Sequence, residues 1–415
     1  MRRPETVECL YLDFDGFFAS VEQQIHPHLR GRPVGVTPFK GDGNRTVIAC
    51  SKEAKAFGVS NVMDIGEARR ICPDLILVPQ TPAMYRRAHN ALLSEIESVV
   101  PIAAIKSIDE LTCDLDPDQR GDPHDIAARI KATIRENIGD QITCSIGFAA
   151  NRQLAKIACK MDKPNGVTVW HPADMPGPLF ATAFGDIPGV GSRMEQRLAK
   201  AGIFTVEDLY RTSPKQMRSL WSNVSGERLW YALHGYDVRA PESKRGMFGH
   251  GRVLPPDSRT LPRAREVCRF LLIKAARRLR REYFYAAGLN LHLSLKHRRW
   301  ARSISLPIVH DDQAVLEGLN TLWRQLESET GKGEIAYKVG VYLYDLSPAN
   351  VRQLDFLLED DCERLKWERI NEAVDRLNAK YGKTVASLGF IPRKNLDNIG
   401  GKISYTRIPA AEDFW

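Results

Sequence analysis

The chain has 415 residues, of which 43% are hydrophobic and 27% charged, and its formal net charge is +8. This composition excludes wholesale disorder, no run approaches the roughly 18 apolar residues of a membrane span, and the length predicts several domains. The eight cysteines form no CxxC pair, which argues against a zinc ribbon or thioredoxin-type site, and Met1-Arg2-Arg3-Pro4-Glu5 lacks the apolar run of a signal peptide, so a cytoplasmic chain with reduced thiols is expected.

In chain order, the apolar run Cys9 to Leu12 ends in Asp13 and predicts a buried strand that delivers a carboxylate. Ala19 to Ile25 predicts a helix. Ile102 to Ile108 leads into Asp109-Glu110, and the alternation of Leu111, Cys113 and Leu115 predicts a second strand region carrying acids. Thr143 to Ala149 predicts a short strand, and Gln153 to Lys163 a helix that stops at Pro164-Asn165-Gly166. Gly185-Asp186-Ile187-Pro188-Gly189-Val190-Gly191 opens a different region of two small helices split by Gly202. Arg239 to Gly251, rich in Pro, Gly and charge, reads as a linker.

Beyond it, Arg263 to Arg281 predicts a helix with Val267, Phe270, Leu271 and Leu279 as its apolar stripe and arginines opposite. Leu289, Leu291, Leu293 and Leu295 alternate with polar residues as a half-buried strand, with Ser303 to Ile308 as its partner. Asp311 to Glu327 predicts a helix and Tyr337 to Leu346 a last strand. With a strand near Gly251 the order is β-α-β-β-α-β, a split βαβ unit. The tail from Ser347 to Trp415 contains one predicted helix, Asp361 to Tyr381.

Charge is concentrated. Pro241 to Arg302 holds 16 Lys and Arg against four acids, a local +12 that leaves −4 for the remainder. The span has too few acids to pair its bases, and it reads as the electrostatic footprint of a polyanion partner.

Asp13, Asp109 and Glu110 each lie at the end of, or inside, an apolar strand, where an isolated ionised carboxylate is costly unless paired or metal-bound. Two such strands side by side would bring the acids together. A self-repelling cluster of hard oxygens calls for divalent cations, and two Mg²⁺ about 3.5–4 Å apart suit a phosphoryl displacement. Spacing alone equally permits helix caps and surface ion pairs.

The residues around these acids carry a resemblance. Tyr11-Leu12-Asp13-Phe14-Asp15-Gly16-Phe17-Phe18-Ala19-Ser20-Val21-Glu22 closely resembles the first motif of the Y-family, the translesion DNA polymerases. Ser107-Ile108-Asp109-Glu110 resembles the second. Ser145 to Asn151, Leu154 to Ala158 and Lys163-Pro164-Asn165-Gly166 resemble the third, and Gly185 to Gly191 is similar to the helix-hairpin-helix of the family's thumb. The resemblance spans about residues 7–346 and is strongest to the DinB branch. One segment departs from it: Ala49-Cys50-Ser51-Lys52-Glu53-Ala54-Lys55-Ala56 is more similar to the UmuC branch, with Ala49, Lys52 and Lys55 where Thr, Tyr and Arg usually stand.

The resemblance implies an α+β, multidomain right-hand fold: a palm over 1–16 and 84–172, fingers over 17–83, and a helix-hairpin-helix thumb over 173–240. A basic linker over 241–250, a βαββαβ little finger over 251–346 and a C-terminal tail over 347–415 follow. It implies a low-fidelity, template-directed DNA polymerase that bypasses damaged bases without proofreading. Asp13, Asp109 and Glu110, with the backbone carbonyl of Phe14, would hold two Mg²⁺, for which Mn²⁺ can substitute. Asp15, Gly16, Phe17 and Phe18, through backbone amides at a helix start, and Lys52, Lys55 and Lys163 would bind the dNTP, with Phe18 as the steric gate against a ribose 2′-OH. Gly189, Gly191, Lys244, Arg245, Arg252, Lys296, Arg298 and Arg299 would bind primer–template DNA. Gly16 and the small Ala49 are expected to leave the site open over the nascent pair. Gln353, Leu354, Phe356 and Leu357 resemble a peptide that binds the bacterial sliding clamp; the implied enzyme is a cytoplasmic monomer without a membrane segment. A nucleotide cyclase would share an acid pair but needs neither the hairpin nor the basic unit. An inactive accessory protein of the same family would have lost the metal acids.

Overall fold

A computed structural model of the full chain describes residues 1–41, 44–239, 244–331, 333–351, 361–388 and 408. The chain divides near residue 241 into two compact units.

The first unit begins with β1 (Cys9–Phe14), α1 (Phe17–Ile25), β2 (Val34–Thr37), β3 (Ala49–Cys50), α2 (Lys52–Ala56), α3 (Ile65–Ile71) and β4 (Ile76–Pro79). There follow α4 (Pro82–Glu97), β5 (Ile102–Ile105), β6 (Glu110–Asp114), α5 (Pro123–Asn137), β7 (Cys144–Ala149), α6 (Arg152–Met161) and β8 (Val167–Val169). Five strands form one sheet in the order β5-β6-β1-β7-β8, and β1 lies at its centre, antiparallel to both neighbours. Both of its faces are therefore covered. Leu10, Leu12 and Phe14 pack with Leu92 and Ile96 of α4 and Ile130 and Ile134 of α5, whereas Cys9 and Tyr11 pack with Leu154 and Ala158 of α6. This is why the strand reads as an unbroken apolar run rather than an alternation. Asp13 shares the Tyr11 face. A smaller sheet, β3-β2-β4, encloses a core of its own around Val47, Cys50, Ala54 and Cys72.

Five short helices close the unit: α7 (Gly177–Phe180), α8 (Ser192–Lys200), α9 (Val206–Tyr210), α10 (Pro214–Trp221) and α11 (Val224–Leu233). Their starts are chemically marked. Thr205 with Asp208, and Ser213 with Gln216, form reciprocal capping boxes that satisfy amide groups a helix leaves unpaired.

The second unit contains β9 (Met247–Val253), α12 (Leu261–Arg281), β10 (Phe284–Leu295), β11 (Arg299–Val309), α13 (Asp312–Glu329), β12 (Ala336–Pro348) and α14 (Asp361–Tyr381). Its sheet order is β11-β10-β12-β9, with every neighbouring pair antiparallel. The units β9-α12-β10 and β11-α13-β12 each straddle one intervening strand, the split arrangement expected. Leu289, Leu291 and Leu293, with Val339, Val341 and Leu343, form the buried face beneath α12 and α13.

Two expectations are corrected here. β9 runs through the segment read as linker, because Gly249 mimics a loop residue. A Cβ there would come within 2.3 Å of the Tyr342 ring, so glycine serves close packing rather than a turn. The arginines of α12 do not all lie opposite its apolar stripe. Lys274 and Arg278 are buried, and the Arg278 guanidinium donates to the Gly249 carbonyl at 2.9 Å. Arg280, also deep, donates to Asp312 on α13 at 2.8 Å and to Asp375 on α14 at 2.7 Å. Acids from outside the basic span thus neutralise part of it.

Candidate active site

The register of β1 and β6 sets Asp13 opposite Glu110, with both side chains on the face that carries Tyr11. The Phe14 amide donates to the Asp109 carbonyl at 2.8 Å, which fixes the turn entering β6 beside the end of β1. The three acids are thus brought together by the backbone. On the opposite side of that turn, His89 of α4 bonds the Ile108 carbonyl through Nδ1 at 2.8 Å.

Two lysines face the acids. Lys163 donates to Asp13 Oδ1 at 2.5 Å, and Lys156 of α6 donates to Glu110 Oε1 at 2.7 Å and to the Tyr11 hydroxyl at 2.9 Å. The Ser107 hydroxyl donates to Asp109. Burial pushes the Asp13 carboxyl up to about 6; Lys163 opposes that shift, and the charges of Asp109 and Glu110 add to it. Burial also works to raise Glu110, but the bond and charge of Lys156 outweigh it and hold this carboxyl below its ordinary range. Among the described residues, no three His, Cys, Asp or Glu side chains stand grouped as metal ligands; the three carboxylates are engaged instead by Lys163, Lys156 and Ser107. The donor chemistry fits a hard divalent cation: it is all oxygen, it is anionic, and one member carries the repulsion of the other two.

Two expectations change here: the Asp15 amide does not face a nucleotide, and Gly16 does not leave open space. The Asp15 amide donates to the Thr143 carbonyl at 2.9 Å, so it is already used within the protein. Its buried carboxylate accepts from Ser145 Oγ at 2.8 Å, Thr143 Oγ1 at 3.0 Å and the Asn165 amide at 2.8 Å, which ties the first motif to the turn after Lys163. Gly16 has a φ of +55°, and a Cβ there would come within 2.9 Å of the Cys50 carbonyl. Its smallness thus admits the β3 backbone at Cys50 rather than leaving room over a base pair. Ala49 is likewise packed against Ala19 and Val36. The amides of Gly16, Phe17 and Phe18 precede the first helical bond of α1, from Ser20 to the Gly16 carbonyl.

Phe17 is buried between Phe14 and Phe18, with ring centroids at 5.7 and 6.0 Å. Phe18 stacks on Tyr85 at 4.4 Å with 10° between the rings. Lys52 and Lys55 are exposed on α2, whose Ser51 cap accepts from the Ala54 amide.

The residues assigned to DNA divide into groups. Gly189 and Gly191 are exposed at the start of α8, with Gly189 at a φ of +100°. Lys244, Lys296 and Arg299 are exposed. Arg245 pairs with Glu282, and Arg298 donates to the Glu329 carbonyl. Arg252 is only 5% exposed and faces inward on β9, so it does not lie on a surface that meets solvent. Gln353, Leu354, Phe356 and Leu357 lie outside the described residues.

Lys156, Tyr85, Glu22 and His89 were not singled out from sequence. None left a distinctive local signal: Lys156 shares its helix face with Arg152 and Lys160 one turn to either side.

No helix among the described residues is long and apolar enough to cross a membrane. The sequence matches the impB/mucB/samB family over residues 12–160 and that family's C-terminal domain over 245–356. It matches the thumb domain of DNA polymerase-iota over 185–237. It is 32% identical to DNA polymerase IV of Moorella thermoacetica, over 91% of this chain and 94% of that one. It is 36% identical to DNA polymerase IV 2 of Mesorhizobium japonicum, over 59% and 58%. In fold it is similar to a Y-family DNA polymerase chimera of Dbh and Dpo4 at a TM-score of 0.67 and 24% identity, over 81% of this chain and 98% of that one. With near-full-length relatives of this identity, matches along both units and the shared fold, the chain belongs to the Y-family of DNA polymerases, in its DNA polymerase IV (DinB) branch.

Proposed function

We propose that this protein is a DNA-directed DNA polymerase that extends primers past damaged template bases with low fidelity and without proofreading. The observation that carries this reading is the β1–β6 register opposing Asp13 to Glu110 beside Asp109, in a chain of this family. Residues 1–16 and 84–172 act as palm, 17–83 as fingers and 173–240 as thumb, and the little finger begins with β9 at Met247 rather than at 251.

Asp13, Asp109 and Glu110, with the Phe14 carbonyl, would hold two magnesium ions. When bound, the metal lowers the pKa of the primer 3′-OH and neutralises charge on the departing pyrophosphate. The protein supplies the alignment. Lys163 exchanges Asp13 for the triphosphate, and Lys52 and Lys55 add charge from the fingers. The free first-turn amides of α1 donate to phosphate oxygens. Phe18 occupies the volume a ribose 2′-OH would need. Exposed amides near Gly189 and Gly191, with Lys244, Lys296 and Arg299, grip the DNA backbone without reading sequence. The enzyme acts as a cytoplasmic monomer and engages a sliding clamp through Gln353 to Leu357.

Primer extension on a defined template, with magnesium and dNTPs, tests the reading. Wild type is expected to extend, and Asp109→Ala to lose at least about 100-fold in rate while still binding DNA, the scale of removing one key electrostatic contact. DNA binding with no extension by wild type would sink it.

A further inference from the structure

Two helices meet behind Phe18 through a pattern that sugar exclusion alone does not require. Phe18 and Glu22 lie one turn apart on α1. Thr81 and Tyr85 lie one turn apart at the start of α4. Residues so spaced share a helix face. The Phe18 ring stacks on the Tyr85 ring, while the Tyr85 hydroxyl donates to Glu22 Oε1 at 2.6 Å and the Thr81 hydroxyl donates to the same oxygen at 2.5 Å. Glu22 is 2% exposed, Tyr85 0%. The other Glu22 oxygen is 3.6 Å from His26 Nε2.

A buried carboxylate is an expensive way to join two helices, since an apolar side chain of similar size would do so without a desolvation cost. What it adds is a pair of short charge-assisted bonds with fixed direction. Burial, reinforced by the Glu22 charge, pushes the Tyr85 hydroxyl far above its ordinary range, which keeps it protonated and a donor. The Tyr85 ring is thereby tethered at its far end, and a stacked ring can shift only by leaving its partner or moving with it.

We infer that Glu22 is a positioning residue for sugar selection: through the Tyr85 hydroxyl it fixes the plane against which Phe18 rests, and so sets how rigidly Phe18 excludes a ribonucleotide. This rests on the reading of Phe18 as the steric gate. Glu22 touches no substrate and acts only through Tyr85. Loosening the tether lets the Phe18 ring yield to a 2′-OH, while a deoxyribose, which never presses on the ring, is accepted as before.

Single-nucleotide insertion of matched dNTP and rNTP, with kcat and KM measured separately, tests this on the full-length enzyme. The variants are Phe18→Ala, Glu22→Gln, Tyr85→Phe and the Glu22→Gln/Tyr85→Phe double. Glu22→Gln and Tyr85→Phe are each expected to lower dNTP-over-rNTP selectivity by about 3- to 10-fold, entirely through better rNTP use, with dNTP kcat within about twofold of wild type. The double variant is expected to lose no more than the larger single, because both act along one path. Phe18→Ala loses most of the selectivity. If Phe18→Ala does so while the tether variants keep the wild-type ratio, the inference is overturned and the gate stands. Equal losses on dNTP and rNTP would mark Glu22 as merely structural and also overturn it. An unchanged ratio in Phe18→Ala would overturn the gate itself.

Discussion

Behind the turn that carries Asp109, the His89 imidazole sits 2% exposed with Nδ1 on the Ile108 carbonyl. Burial lowers its pKa below the ordinary 6.5, and the Ile108 bond and the Asp109 charge offset this only in part. A base whose folded pKa is depressed stays neutral in the fold while the unfolded chain takes up a proton. Its stabilising contribution is therefore complete above pH 6.5 and is lost as pH falls below that value, at a limiting slope of about 1.4 kcal/mol per pH unit for one proton. His89→Gln should flatten the fall in unfolding free energy between pH 6.5 and 5, measured by denaturant titration at each pH; an unchanged slope would show that His89 titrates normally. At the same scale, Asp15 shows how a motif residue can serve the fold: its three accepted bonds hold the first and third motifs together, a task its position beside Asp13 does not reveal.

Among the elements, α12 and α14 depend on one another. Arg280 lies between Asp312 and Asp375, and Arg277 also reaches Asp375 at 3.4 Å. The Asn371 side-chain Oδ1 accepts from the Asp312 backbone amide at 2.8 Å. The helix of the C-terminal tail is thus fastened to the second unit by buried polar groups rather than trailing from it. Without Asp375, Arg280 still has Asp312 and the His310 carbonyl, so the loss is that of charge-assisted hydrogen bonds rather than of a stranded charge, about 1.5 kcal/mol. Asp375→Ala should lower the stability of the second unit by about that much, visible as an earlier thermal unfolding step, and Asp375→Asn by less because one acceptor remains. A melting curve unaltered by Asp375→Ala would show that the tail helix is not fastened this way.

For the whole molecule, the +8 net charge acts only through the bases that meet solvent. Lys296 and Arg299 are exposed, whereas Arg252 is 5% exposed, and burial holds its guanidinium down at about 10. Each phosphate contact contributes roughly 0.9 to the slope of log affinity against log salt. Lys296→Ala combined with Arg299→Ala should weaken DNA binding and reduce that slope by about 2, read by fluorescence anisotropy over a salt series. Arg252→Met should leave the slope unchanged. A slope that fell with Arg252 and not with the exposed pair would reverse this assignment.

The sequence by itself determined the periodic elements and their order. Alternation is local, so Leu289 to Leu295 and Val339 to Leu343 announced their strands, and the motif around Asp13 and the acids of Asp109-Glu110 announced the chemistry. Only the tertiary structure decided which charges are inside and which groups they meet. Arg280 finds Asp375 across 95 residues, Tyr85 finds Glu22 across 63, and Lys156 finds Glu110 across 46. Pairings at such separations follow from how helices and strands pack, and no local pattern encodes them. For the same reason Gly16 and Ala49 resembled empty space in the sequence, although the Cys50 carbonyl of β3 and the side chains of Ala19 and Val36 fill it.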